Sequence, residues 1–380
     1  MPKNIRMHRS FFTGLLILLA CLVVLPASHV QASMPMPNAP SRVEVVFVLD
    51  TTGSMSGLIQ GAKTKIWSIA NMIVDQNPHA KIYIGLVGYR DIGDTYVTKH
   101  FPLTTDIQGV YKELLTFRAD GGGDTPESVN EALDVAVSKL GWSNPSEVES
   151  SRILFLVGDA PPHMDYKQDR KYPEIIAEAG QRGIIVNTVQ AGTMSSTTKV
   201  WKEIAKLGKG EYMAIPQDGG RVVVIETPYD SSIRDIQIRI NKTIVPYGSM
   251  TQQNEVSEKA RLYESAPRSA SADMASFVNK SGNREKAVTG AGDLVADAKN
   301  DTELLGKLKK DELPENMSKM SAEEQKKYLE SIATERSRLT DDLAEQIQKR
   351  DAFIRDQETE APPDSFDSNV KKTLTEQIKK

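Results

Sequence analysis

Hydroxyl and carboxylate side chains cluster in three short loops of the chain. The segment Asp50-Thr51-Thr52-Gly53-Ser54 follows one apolar run, and Gly158-Asp159-Ala160-Pro161-Pro162 follows another. A third loop, Gly121 to Glu127, is rich in glycine and also carries Asp124 and Thr125. Side-chain oxygens are the ligands that Mg²⁺, Mn²⁺ and Ca²⁺ prefer, and none of these loops contains the Cys or His that would favour zinc. The loops therefore predict a site for a hard divalent cation.

The same residues do not form the pattern of a catalytic site. Ser54 lacks the Gly-x-Ser-x-Gly context of a hydrolase nucleophile, and no His and Asp follow it in a matching order. His163 lies beside one of the loops without a nucleophile or acid at a useful spacing, so we interpret it as structural or as a surface contact. We expect no enzymatic activity, because no general base or activated nucleophile is evident.

The elements around the loops predict how these side chains are brought together. Continuous apolar runs are typical of strands buried on both faces, and they alternate with segments of helical apolar spacing. This alternation predicts an α/β fold with a doubly wound, mostly parallel sheet, similar to a Rossmann arrangement. In such sheets ligands bind beyond the carboxyl ends of the strands. The predicted buried strands are Val43 to Leu49, Ile82 to Val87, Ile153 to Val157 and Ile184 to Val189, with a short edge strand at Tyr96 to Phe101.

With three loops in these positions, the sequence resembles the von Willebrand factor A domain family over roughly Val43 to Asn241. The family's Asp-x-Ser/Thr-x-Ser pattern, the main part of a metal-ion-dependent adhesion site, is matched by Asp50, Thr52 and Ser54. The aspartate that the family places after its central strand is matched by Asp159. The resemblance implies a bound Mg²⁺, or Mn²⁺ or Ca²⁺, held by these four residues and by one residue of the third loop.

The third loop departs from the simplest form of the family. Its Asp124-Thr125-Pro126-Glu127 sequence is similar to the version found in integrin β subunits, where the glutamate can reach the metal. Asp124, Thr125 and Glu127 are therefore alternatives, with Asp124 and Glu127 favoured. Asp91 and Asp94 could support a second cation, although a polar loop is the preferred interpretation. The segments from Gly88 and from Val157 resemble bacterial A domains that are similar to those linked to alpha-kinases, but no kinase-like segment follows.

The resemblance implies a protein-binding module rather than an enzyme. Two hydroxyls and a few carboxylates leave a position on the cation for a partner's Asp or Glu, so we expect a protein partner with an exposed carboxylate. Nucleic acid is not expected, because the formal net charge of the 380-residue chain is -4. A scaffold that oligomerises through its C-terminal helix, without metal-dependent binding, is the alternative function.

The first residues have the order of an export signal. Lys3, Arg6 and Arg9 precede an apolar run from Phe11 to Leu25, and the small residues that follow predict cleavage after Ala32. We therefore expect a signal peptide over 1–32, a linker over 33–42 and a periplasmic or extracellular location without stable membrane insertion. A lipid anchor at Cys21 and an uncleaved membrane anchor are the alternatives.

Composition changes after the predicted α/β domain, 43–245. Residues 246–320 contain few large apolar side chains, which predicts a flexible or loosely helical segment. Residues 321–380 form a predicted helical region in which Leu329, Ile332, Leu339, Leu343 and Ile347 recur at near-heptad spacing. Such a helix buries one stripe, either on the core domain or in a coiled coil with a second copy.

Overall fold

The computed structural model describes residues 41–123, 125–219, 225–281, 288–357 and 366–378. The signal peptide predicted over 1–32, and all but the end of the linker predicted over 33–42, lie outside the described residues. Within these ranges no helix is both long enough and apolar enough to span a bilayer.

Six strands of the described residues form one sheet, in the order β3-β2-β1-β4-β5-β6. The antiparallel strand β3 lies at one edge, and every other neighbouring pair is parallel. The predicted α/β fold with a doubly wound, mostly parallel sheet is therefore confirmed. The strands are β1 (Arg42–Asp50), β2 (Lys81–Tyr89), β3 (Thr98–Thr104), β4 (Ser150–Gly158), β5 (Ile184–Ala191) and β6 (Lys209–Ile215).

Both faces of the sheet are covered, which explains why the strands are continuous apolar runs. Successive side chains of a strand point to opposite faces. In β1, Phe47 and Leu49 belong to the core on one face, whereas Val46 and Val48 belong to the core on the other. The helices of the α/β part are α1 (Ser56–Gln76), α2 (Ile107–Thr116), α3 (Val129–Ser138), α4 (Tyr172–Gln181), α5 (Ser195–Leu207) and α6 (Asp230–Asn241).

Among the described residues, seven further α-helices follow the α/β part. Helices α7 and α8 occupy the interval where a flexible or loosely helical segment was predicted, and side chains of α8 such as Met274 and Phe277 are buried in the core that α1 and α2 share with the sheet. The helices are α7 (Met250–Ser265), α8 (Arg268–Lys280), α9 (Leu294–Asn300), α10 (Leu304–Lys307), α11 (Glu315–Ser318), α12 (Ala322–Gln357) and α13 (Phe366–Ile378).

The apolar stripe of α12 packs within the same chain. Leu343 and Ile347 join the core of the α1 face, and Leu329 joins a smaller apolar cluster with α9 and α11. Buried ion pairs reinforce this packing, because the Arg350 guanidinium contacts Asp230 of α6 at 2.7 Å and Asp273 of α8 at 2.8 Å. The predicted helical C-terminal region is thus present and covers the face of the sheet that α1 and α2 also cover.

Candidate functional site

The first loop forms a tight turn immediately after β1. The carboxylate Oδ1 of Asp50 accepts hydrogen bonds from the Thr52 backbone N–H at 2.9 Å and from the Thr52 hydroxyl at 2.6 Å. The hydroxyl oxygens of Thr52 and Ser54 lie 3.4 Å apart. Asp50 and Thr52 are buried, whereas Ser54 is exposed. The turn therefore places three predicted ligands together, with Ser54 on the solvent side.

Asp50 occupies a site that disfavours its charge. It is fully buried, its Oδ2 has no hydrogen-bond partner, and it lies at the end of the central strand β1. Burial, with a smaller contribution from the negative charge of Asp159, raises the pKa of Asp50 to about 7, against the hydrogen bonds from Thr52, which lower it. A bound cation would stabilise the negative charge of Asp50 and so offset the free-energy cost of burying it.

The third loop brings Glu127 to the same place. The Glu127 backbone N–H donates to the Pro161 carbonyl at 3.0 Å, so the loop is joined to the segment that follows β4. A Cβ placed on Gly122 would lie 3.0 Å from Cβ of Thr52 and 3.3 Å from Oε1 of Glu127. Gly122 has a φ of 81°, so both the backbone conformation and the lack of space favour glycine there.

Glu127 resembles Asp50 in its surroundings. It is 4% exposed, and its Oε2 has no hydrogen-bond partner. Burial, followed by the negative charges of Asp50 and Asp91, raises the pKa of Glu127 to about 9. Two buried carboxyl groups with unpartnered oxygens thus belong to adjacent loops. Among the described residues, neither has a lysine or arginine within ion-pair distance.

Asp159 begins the loop after β4, where the sequence placed it. It is partly exposed, and its Oδ2 accepts a hydrogen bond of 2.5 Å from the side-chain amide of Gln217. The sequence interpretation missed Gln217. Gln217 follows the carboxyl end of β6. The rule that ligands bind beyond the carboxyl ends of the strands, here called the strand-end rule, could therefore also have identified it.

The oxygen atoms of the site suit a hard cation. Across the described ranges, no three His, Cys, Asp or Glu side chains are grouped closely enough to hold a metal ion by themselves. Asp124, predicted as a third-loop ligand, lies outside the described residues, and Thr125 is exposed. The unpartnered oxygens of Asp50 and Glu127, the Asp159 carboxylate, the hydroxyls of Thr52 and Ser54 and added water would together form the all-oxygen shell that Mg²⁺ prefers.

Asp91 and Asp94, which were considered for a second cation, accept hydrogen bonds from other groups of the same chain. The Asp91 carboxylate accepts hydrogen bonds from the Ser128 hydroxyl at 2.7 Å and from the Tyr166 hydroxyl at 2.8 Å. The carboxylate of Asp94 accepts from the backbone N–H groups of Asp91 and Gly122, at 3.2 and 3.1 Å. These bonds join the segment after β2 to the third loop and to the segment after β4, beside the predicted site.

His163 packs under the same loops. Its ring stacks on that of Tyr166 with centroids 3.9 Å apart, and its Nδ1 lies 2.8 Å from Oδ1 of Asp165. Its backbone N–H donates to the Glu127 carbonyl at 3.0 Å. The side chain is buried, so its contacts here are those of a residue that supports the loop.

Comparison with known families identifies the α/β part. Residues 44–227 match the sequence profile described as von Willebrand factor A domain. Two curated proteins are similar to shorter stretches. An ariadne-like RING finger protein of Acanthamoeba polyphaga mimivirus is 30% identical over 125 residues, and the alpha-protein kinase vwkA of Dictyostelium discoideum is 27% identical over 130 residues. These stretches cover 32% and 33% of this chain, but only 11% and 20% of those proteins.

Two solved structures are also similar to part of the chain. The conserved hypothetical protein BatB from Bacteroides thetaiotaomicron is 18% identical, with a TM-score of 0.35, over 46% of this chain and 90% of that one. The SpRpn10 VWA domain is 14% identical, also with a TM-score of 0.35, over 46% of this chain and 88% of that one.

Proposed function

The chain is a von Willebrand factor A domain protein, a type of protein-interaction module, and from that premise we propose that it binds a protein partner through a divalent cation. The partner supplies an Asp or Glu carboxylate to the cation. The observation that carries this proposal is that Asp50 and Glu127, in adjacent loops, each bury a carboxylate oxygen that has no hydrogen-bond partner. Among the residues that the structure describes, no lysine or arginine forms an ion pair with either carboxylate.

The residues that would hold the cation come from three loops. Asp50, Thr52 and Ser54 belong to the first loop, Glu127 to the third, and Asp159 to the loop after β4. Asp124 is the alternative ligand from the third loop. Mg²⁺ is the expected ion, with Mn²⁺ or Ca²⁺ as substitutes, because every candidate ligand atom is an oxygen. When bound, the cation would supply a positive centre for a partner's carboxylate, and exposed Ser54 marks the solvent side of the site.

The surroundings of the site support binding to a protein surface. Ile92, Met164 and Met194 follow the carboxyl ends of β2, β4 and β5, and each side chain is 43% to 49% exposed. Large apolar side chains that remain exposed next to a polar centre are typical of interaction sites. We therefore expect the partner to place apolar side chains around its carboxylate.

Non-enzymatic action and export complete the proposal. Among the described residues near the site, His163 contacts Asp165, Tyr166 and the loop backbone rather than a serine. Export to the periplasm or cell surface is proposed from the signal-like residues 1–32. A location outside the cytoplasm also suits cation-dependent binding, because it requires no nucleotide.

The metal proposal is tested by the thermal melting of the protein comprising residues 33–380, which contains every described residue. Melting is followed in EDTA and then with MgCl₂, MnCl₂ or CaCl₂. At about a hundredfold excess over the dissociation constant, one bound ion adds about 2.7 kcal/mol, or roughly 4 °C in the melting temperature of a chain of this length. Asp159→Ala should abolish the shift, and Asp235→Ala, at an exposed position of α6, should preserve it. A shift that survives Asp159→Ala, or no shift with any of the three ions, contradicts the proposal.

A further inference from the structure

The loop after β6 reaches Asp159 across the end of an intervening strand. Strand β5 lies between β4, which precedes Asp159, and β6, which precedes Gln217. Two strand spacings, roughly 10 Å, therefore separate the strands from which these residues follow. The Nε2 of Gln217 donates a hydrogen bond of 2.5 Å to Oδ2 of Asp159 across this gap. A neutral amide is thus bonded to one of the two oxygens of a candidate ligand.

The side chain of Gln217 passes directly over Gly192. A Cβ placed on Gly192, the first residue after β5, would lie 2.1 Å from Oε1 of Gln217. Gly192 has a φ of 72°, which also favours glycine there. Its backbone N–H donates to the Ile215 carbonyl at 2.9 Å, so the ends of β5 and β6 stay joined up to this point. Any larger side chain at position 192 would occupy the place of Gln217.

The backbone that carries Gln217 is fixed against α1. The Gly219 N–H donates to the Pro216 carbonyl at 2.9 Å and closes a turn around Gln217. A Cβ on Gly57, in the first turn of α1, would lie 2.6 Å from the carbonyl oxygen of Asp218. Helix α1 begins directly after the first loop of the site. The turn therefore holds Gln217 at a defined distance from that loop, even though the side chain itself is exposed.

The bond from Gln217 limits what Asp159 can offer to a cation. With Oδ2 accepting from the amide, one oxygen of the carboxylate is left to face an ion. Ca²⁺ takes six to eight oxygen ligands and often binds both oxygens of a carboxylate, whereas Mg²⁺ requires a near-octahedral shell and keeps several waters. A carboxylate that presents one oxygen therefore suits Mg²⁺ and removes a ligand from Ca²⁺.

We propose that Gln217 is a positioning residue that gives the cation site its preference for Mg²⁺ over Ca²⁺, because it holds Asp159 with one oxygen available. This inference rests on the proposed function, since it requires that the site bind a divalent cation. Gly192 belongs to the same device, because the absence of a side chain there lets Gln217 reach Asp159.

The test measures the affinities of the two ions separately. The protein comprising residues 33–380 is freed of metal with EDTA, dialysed, and titrated by calorimetry with MgCl₂ or CaCl₂. Gln217→Leu keeps a similar side-chain size but removes the donor. The ratio of the Ca²⁺ to the Mg²⁺ dissociation constant should fall by about tenfold, which is the lower end of what a hydrogen bond to a charged group contributes to an equilibrium constant. The melting temperature in EDTA should change by less than about 2 °C, because position 217 is exposed.

Two further variants and one spectrum locate the effect. Gly192→Ala displaces the Gln217 side chain and should lower the ratio by a similar factor, with no further decrease when it is combined with Gln217→Leu. Because this alanine also strains the backbone, the ratio of the two constants is compared rather than the melting temperature. Gln168→Leu, at an exposed position of the segment after β4, is the matched control and should keep the wild-type ratio.

NMR reports the bond in the absence of metal. The side-chain amide resonance of Gln217 is identified by its loss from the spectrum of Gln217→Leu. In EDTA its protons should exchange with solvent faster in Gly192→Ala than in the wild type, because the bond to Asp159 is then broken. Equal exchange rates in the two proteins would show that Gly192 does not give Gln217 its path, which overturns that part of the inference.

The remaining outcomes separate this inference from the proposed function. A lower ratio in Gln217→Leu and Gly192→Ala, but not in Gln168→Leu, supports the role of Gln217. If both ions bind and the ratio in Gln217→Leu equals that of the wild type, the role of Gln217 is overturned and the proposed function stands. Equal weakening of both ions also overturns the role in selectivity. If neither ion binds the wild-type protein, the proposed function is overturned and this inference with it.

Discussion

The buried carboxyl group of Asp50 leads to a prediction about stability without metal. Its pKa is about 7 in the folded protein, against an ordinary value of 3.8. Between these values the folded state holds a proton that the unfolded state has released, so stability falls as the pH rises from about 4 to about 7. The difference corresponds to about 4 kcal/mol above pH 7, which is an upper limit because the folded structure can relax around the charge.

Asp50→Asn removes the charge and keeps the shape. The asparagine can retain its Oδ1 as the acceptor for both hydrogen bonds from Thr52, and its amide N–H replaces the unpartnered Oδ2. In EDTA at pH 8 we expect the variant to be more stable than the wild type by about 2 to 4 kcal/mol, or roughly 3 to 6 °C in melting temperature. Near pH 4 the gain should disappear, since Asp50 is then protonated in the folded wild-type protein.

Addition of Mg²⁺ at about a hundredfold excess over its dissociation constant should offset most of this difference, because it adds about 2.7 kcal/mol to the wild type alone. The wild type gains stability from the bound ion, whereas Asp50→Asn has lost a ligand and should gain little. Melting curves of both proteins at pH 4.5, 6 and 8, each with EDTA or MgCl₂, measure the complete pattern. The exposed position Asp235, changed to Asn, is the control and should show neither effect. If Asp50→Asn were less stable than the wild type in EDTA at pH 8, or if its effect were the same at every pH, the reasoning would be refuted.

Two further predictions concern the packing that positions the site, and both are measured by urea unfolding. A Cβ on Gly158 would lie 2.3 Å from the Tyr89 hydroxyl oxygen, so Gly158→Ala should destabilise by about 1 to 3 kcal/mol. Gly180→Ala, inside α4 with nothing within 4 Å, should instead stabilise by up to about 1 kcal/mol. Arg350→Met leaves two buried or half-buried carboxylates without their cation and should cost about 3 to 5 kcal/mol. Arg338→Met, at an exposed ion pair of the same helix, should have little effect; equal losses in the two arginine variants would contradict this account.

The sheet could be predicted from the sequence because burial on both faces leaves a strong pattern. The runs from Val43 to Leu49 and from Ile153 to Val157 lie inside β1 and β4, and both continue to the residue where a site loop begins. The strand-end rule then selects Asp50 and Asp159 without knowledge of any contact. Helix limits were less accurate. Helix α5 begins at Ser195 rather than Val200, because its first turn is polar and shows no apolar spacing.

The packing of the C-terminal helices could not be predicted in the same way. The segment containing α7 and α8 has few large apolar side chains, yet Ala272, Met274 and Ala275 are fully buried. Small side chains bury little area and leave a weak pattern, but they allow helices to approach one another closely. The apolar stripe of α12 was recognised, whereas its partner was not, because near-heptad spacing is the same for a helix that packs on its own domain and for one that pairs with a second copy.

The buried charged residues of α12 show how the position of this helix on the rest of the chain is specified. If α12 served only to pair two copies of the chain, its buried face would need only apolar residues. That face also carries Arg336 and Arg350, which are buried and form ion pairs with Asp293 and Asp230. A buried arginine with a missing partner is costly, so these pairs fix one register of α12 against α6, α8 and the start of α9.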